Sequence, residues 1–107
     1  MILKIKNKGK NIYINCEKTT FLKGLFGLMF KIKNTKNLYF EKAGNIHSLF
    51  VFNKFIALWL NEKNEVIRID LVKPFKFLIE KPKEAKKLIE IPFNEKNKKI
   101  INNILNN

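Results

Sequence analysis

Between Gly44 and Val72 the chain reads G-N-I-H-S-L-F-V-F-N-K-F-I-A-L-W-L-N-E-K-N-E-V-I-R-I-D-L-V. Two dense apolar runs, Ile46–Phe52 and Phe55–Leu60, are apolar on both faces. That is the pattern of central strands covered from both sides. A polar turn, Asn61 to Asn64, leads into an alternating run, Val66–Val72. The turn predicts a β-hairpin, with Ile67, Ile69 and Leu71 facing inward and Arg68 and Asp70 outward. The same stretch holds the only histidine, the only tryptophan and the only arginine of the chain. We read it as the centre of a β-rich domain.

The flanks extend that reading. Met1–Lys6 and Asn11–Cys16 alternate with period two around Asn7-Lys8-Gly9-Lys10, which predicts an N-terminal hairpin with Gly9 free to take positive φ. Thr19 or Thr20 can cap a helix over about residues 19–29. Its Phe21, Leu22, Leu25, Phe26, Leu28 and Met29 leave almost no polar face, so it is expected to be buried. Leu38–Glu41, Phe75–Ile79 and Leu88–Ile91 read as further strands, and Lys81–Lys86 as a turn. Ile100, Ile101, Ile104 and Leu105 recur at helical spacing, so Glu95–Leu105 fits a short amphipathic helix. The expected fold is mainly β, a β-rich α+β domain. We expect a compact, barrel-like antiparallel or mixed sheet of about 7–8 short strands. One buried helix is expected near 19–29, and residues 93–107 as a basic, Asn-rich tail or a short helix near 95–105. No internal repeat or linker divides the 107 residues, so a single domain is expected.

Composition bears on partners. The formal net charge is +13, which invites a nucleic-acid or anionic surface. Against that, Lys, Asn and Ile number 21, 15 and 15 while Ala, Gly, Pro and Arg are scarce. This is the signature of AT-rich coding, which turns surface positions into lysine and asparagine. With one arginine, the bidentate reader of phosphate and guanine is nearly missing, so nucleic acid is not the favoured partner. The single cysteine, Cys16, excludes an internal disulfide and a cysteine-rich zinc site. The longest apolar run, Phe55–Leu60, is far short of the roughly 20 residues that span a bilayer. No segment of signal-peptide length opens the chain. The expectation is a soluble cytoplasmic protein without a membrane span.

Several segments resemble one family pattern. Gly27-Leu28-Met29-Phe30-Lys31 is similar to its G-L-M-F-R signature, and Ile46-His47-Ser48-Leu49-Phe50-Val51-Phe52 to its I-H-S-F-F-V-F strand. Phe55-Ile56-Ala57-Leu58-Trp59-Leu60-Asn61 resembles its F-x-I-D-V-L-F-L-D strand, and Leu88-Ile89-Glu90-Ile91-Pro92 its V-L-E-L-P ending. In order and spacing over about Thr19–Pro92 the chain resembles the domain of unknown function family 192, also called uncharacterised protein family 0127, in its short archaeal-type form. The resemblance implies a compact β-rich domain with short helices and carries over no catalytic residue. Two acidic positions of the pattern are Ala57 and Asn61 here, and the glycine after its final L-P is absent. Any chemistry those acids performed is lost, whereas Asn61 retains the means to fix a turn.

Three residues stand out as candidate ligand-binding positions: His47, Trp59 and Glu90. His47 is the one side chain that ordinarily titrates near neutrality. It and Ser48 point to opposite strand faces, so a direct His–Ser pair requires a bulge. Structural hydrogen bonding is the competing role. Glu90, inside an apolar run, is either solvent-facing or buried and paired, with Lys87 or His47 as partner. Trp59 suits a stacking surface, against the plainer role of core packing. No phosphate-loop, dinucleotide or zinc-protease motif is present. We therefore expect no catalytic set, cofactor or metal. The reading is a non-enzymatic module for a small molecule or a protein partner. Lysine-driven nucleic-acid or polyanion binding is the alternative, and a small hydrolase using His47 and a carboxylate the second alternative.

Overall fold

The structure is a computed structural model; it describes residues 1–19, 36–46, 54–73 and 78–106. The expected helix near 19–29 beyond Thr19, the strand Ile46–Phe52 beyond its first residue and residues 74–77 lie outside the described residues.

The chain begins with the expected hairpin. Strands β1 (Ile2–Asn7) and β2 (Lys10–Asn15) pair antiparallel from Ile2↔Asn15 to Asn7↔Lys10. Their two-residue loop has Lys8 at φ 52° and Gly9 at φ 81°, the paired positive φ of a type I′ turn, whose twist matches that of the strands. Ile5, Ile12 and Ile14 are buried on one face, and Lys4, Lys6 and Tyr13 are exposed on the other.

The second sheet has five strands in the order β3-β4-β7-β5-β6. Here β3 is Glu17–Lys18, β4 Leu38–Phe40, β5 Phe55–Leu60, β6 Val66–Val72 and β7 Lys87–Pro92. β3 runs parallel to β4, and the other neighbours are antiparallel. β7 lies between β4 and β5, in the middle of the sheet. Its late run of Leu88, Ile89 and Ile91 is apolar on both faces for that reason. Every residue of β5 is buried, as its unbroken apolar run requires.

The sheet separates two hydrophobic clusters. On one side Ile56, Leu58, Leu60, Ile89 and Ile91 pack against the hairpin's Ile5, Ile12 and Ile14 and against a C-terminal helix. That helix follows a 3₁₀ turn, Glu95–Asn97, and forms α1 (Lys98–Leu105), with Ile101 and Ile104 buried. On the other side Phe40, Phe55, Ala57, Trp59, Val72 and Leu88 form a second cluster with Ile46 and Ile79, which bridge each other. Burying one such side chain contributes about 1.5–3 kcal/mol.

Two expectations require correction. Among the described residues the strands, seven in number, form two sheets and do not close into a barrel. Besides the packing of its isoleucines, the hairpin meets the large sheet at Lys6, which bridges Glu65 and whose N–H donates to Asn64 O at 2.9 Å. The facing of β6 differs in part: Ile69 packs against the first cluster as expected, but its neighbours depart from the reading. The β5–β6 register shifts between Trp59↔Arg68 and Leu60↔Val66, so Ile67 is an extra, unmatched residue. The bulge leaves Ile67 exposed, and Leu71 lies open on this edge strand. Arg68 and Asp70 fall on the same face as Trp59 and Val72.

Candidate functional site

Two of the three residues singled out from sequence share one face of the sheet. Glu90 in β7 stands opposite Ala57 in β5 and Leu38 in β4, while Trp59 stands opposite Leu88. Trp59 and Glu90 are therefore diagonal neighbours on adjacent strands. Asp70 pairs with Ala57 from the other side, so one row across the sheet reads Asp70, Ala57, Glu90, Leu38. His47 lies outside the described residues.

Neither side chain is presented to solvent. Trp59 is fully buried, and its indole N–H donates to Asp70 Oδ2 at 2.8 Å. Arg68 lies over the indole, 5.4 Å from the ring centre, and also donates to Asp70. Glu90 is 5% exposed. Burial pushes its carboxyl from 4.5 up to about 8, because an ionised group there would lose its hydration without compensation. Lys87 does not supply the partner expected of it. Its ammonium bonds Glu62 O at 3.3 Å and Asn64 Oδ1 at 2.8 Å.

A concave site lies elsewhere, and sequence reasoning missed it. An open cleft of about 660 Å³ runs between the β2–β3 junction, the start of β4 and the turn that leads into α1. Its lining comes from Met1 and from three segments, residues 15–18, 36–37 and 94–100. Parallel pairing of β3 with β4 brings Glu17 beside Leu38 and so sets Asn37 next to Asn15. The Asn37 side-chain N–H donates to Asn15 O at 2.9 Å. Across the cleft Asn94 accepts from the Asn97 N–H at 2.9 Å and caps the turn, and Asn97 Nδ2 donates to Pro92 O at 2.8 Å. The capping pattern Asn94-x-x-Asn97 is visible in the sequence, but nothing in it ties that segment to residues 15–18.

The charged side chains of the cleft are of both signs. Lys36 pairs with Glu17 at 3.3 Å and Lys18 with Glu41 at 3.0 Å, both exposed and weak. Lys96 adds a further cation. One atom is out of balance: Asn37 Oδ1 is buried and has no hydrogen-bond partner among the described residues, in a residue 8% exposed. An orphaned buried acceptor costs about 1–3 kcal/mol, which a donor brought by a ligand recovers. Cys16 is 4% exposed, and burial pushes its thiol up, away from the reactive thiolate. Among the described residues no group of three or more His, Cys, Asp or Glu is placed to hold a metal ion. Also among the described residues, no helix is long and apolar enough to cross a membrane.

Comparison with protein-family models, with curated proteins and with solved structures found no match to this chain.

Proposed function

We propose that this chain is a non-enzymatic binding module that takes a small polar ligand in the cleft between the β2–β3 junction and the Asn94–Ile100 segment. The observation that carries the reading is the unpartnered Asn37 Oδ1 in a residue lining that cleft. It asks for a ligand bearing an N–H or O–H, while Lys96 and Lys36 favour a carboxylate or phosphate on the same molecule. The cleft volume lies within the range of small-molecule sites. The one thiol in its lining, Cys16, is 4% exposed and kept protonated by burial, which supports binding over turnover.

Thermal-shift screening against small amino, hydroxy and carboxylate metabolites tests this. A hit lost in Lys96→Ala and Asn37→Leu but kept in Glu90→Gln supports the cleft. A hit lost only in Glu90→Gln moves the site to the sheet face of Trp59 and Glu90. No hit across the panel counts against a small ligand altogether.

Kinship with the domain of unknown function family 192 belongs to the same proposal. It is supported by strands at Phe55–Leu60 and Lys87–Pro92, over two of the motif segments. An experimental structure of a member with the order β3-β4-β7-β5-β6 would favour it, and another order would end it. Cytoplasmic residence is proposed on the strength of the single buried thiol of Cys16.

A further inference from the structure

We propose that the outer face of the N-terminal hairpin binds single-stranded nucleic acid. The first sixteen residues contain Lys4, Lys6, Lys8 and Lys10 and no aspartate or glutamate. The register turns that composition into a surface. Lys4 stands opposite Tyr13 and Lys6 opposite Asn11, all exposed and on the side of the hairpin that faces away from the core. Lys4 and Lys6 follow each other at the i, i+2 stride of a strand, about 6.6 Å. That stride suits successive phosphates of an extended single strand.

Tyr13 decides between an unstructured positive charge and a site. It is 62% exposed, while its strand neighbours Ile12 and Ile14 turn to the core and are buried. An exposed ring on a paired strand, beside two lysines, is a platform on which a base stacks while the ammonium groups hold the backbone. Among the described residues neither Lys4 nor Lys6 has its ammonium in an ion pair, so both charges remain available to a polyanion. The nearest carboxylate on the ladder, Glu65 beside Lys6, already accepts the Asn61 side-chain N–H at 2.9 Å. The face is one hairpin wide and carries no arginine, so it reads the backbone and the faces of bases rather than base edges. This inference is independent of the cleft, whose Lys96 lies on another element.

The test is fluorescence anisotropy with a labelled 12-mer of oligouridine and a DNA duplex of the same length, over a series of salt concentrations. The expected result is preference for the single strand, with affinity falling as salt rises. In Lys4→Ala/Lys6→Ala the salt slope flattens by roughly 1.4, two contacts at about 0.7 each. Tyr13→Ala weakens binding on the order of tenfold at unchanged slope. Lys98→Ala/Lys99→Ala, on exposed positions of α1, is the control for diffuse charge. The proposal is overturned if that control matches the hairpin pair, if Tyr13→Ala has no effect, or if low salt gives no binding. It is also overturned if vesicles of phosphatidylserine and phosphatidylcholine compete the oligonucleotide away, which would make Ile2 and Tyr13 a lipid contact. All substituted positions are exposed, and circular dichroism melts confirm that each variant is folded before its binding is read.

Discussion

Asp70 Oδ2 receives the indole N–H of Trp59 at 2.8 Å and, on the same oxygen, Nε and Nη2 of Arg68 at 2.9 and 2.7 Å. The only tryptophan and the only arginine of the chain thus meet on one carboxylate. Arg68 goes further and donates to Glu80 O at 2.8 Å, so the cluster joins β6 to the segment before β7.

Asp70→Ala orphans a buried indole donor and is expected to cost about 1–3 kcal/mol in urea unfolding. Arg68→Ala leaves the indole bond in place and costs less. Arg68→Lys recovers little of that loss, because an ammonium cannot repeat the fork that reaches both Asp70 and Glu80 O. Equal losses for Asp70→Ala and Arg68→Ala would show that the indole bond is not the main term.

Glu90 makes stability depend on pH. Its carboxyl is protonated in the fold up to about 8, whereas the unfolded chain loses the proton near 4.5. Below 4.5 both states carry the proton and the group contributes no pH dependence. Between 4.5 and 8 only the unfolded state releases it, so stability falls as pH rises, by roughly 1 kcal/mol per unit and a few kcal/mol in all. Glu90→Gln is expected to match the native chain at pH 4.5 and to exceed it at pH 8. Chemical unfolding of both proteins at pH 4.5, 6 and 8 measures this, and parallel pH profiles would contradict it.

Asn61 organises the β5–β6 turn. Its Oδ1 accepts from the N–H groups of Lys63 and Glu65 at 2.9 and 3.0 Å, and its Nδ2 donates to Glu65 Oε1 at 2.9 Å. Asn61→Ala is expected to lower stability by about 1–2 kcal/mol. Asn61→Asp keeps both acceptors but sets a carboxylate against Glu65, a loss that Glu65→Gln in the same chain restores. A double variant no more stable than Asn61→Asp would argue against that contact.

Cys16 is closed off inside the first cluster, and burial raises its thiol. Reaction with an aromatic disulfide reagent at pH 8 is expected to be slow in the native state and to accelerate at least tenfold in denaturing urea. Fast native labelling would mean that the junction of β2 and β3 opens.

Much of this arrangement was legible in alternation. Ile5, Ile12 and Ile14 read inward and are buried, and Lys8-Gly9 reads as a turn and is one. Phe55–Leu60 reads as doubly covered and is, because an unbroken apolar run admits no solvent face. The facing of β6 was legible only at Ile69, which reads inward and packs on the first cluster. A one-residue bulge moves Arg68 and Asp70 to the side of Trp59, and alternation looks the same before and after such an insertion. Glu90 was legible as either exposed or buried. Only the central position of β7 selects burial, and strand order is a long-range fact that local pattern does not contain. The cleft was illegible for the same reason, since its walls come from residues 15–18, 36–37 and 94–100, brought together by pairing and by α1.

The placement of β7 has a consequence for biosynthesis. β4 and β5 do not touch along a ladder; each is hydrogen-bonded to β7 instead. Until translation passes Pro92, a nascent chain holds two greasy half-sheets with open inner edges and no seam between them. The protein is therefore expected to assemble late, and a ribosome stalled before that codon would display a sticky intermediate suited to chaperone capture.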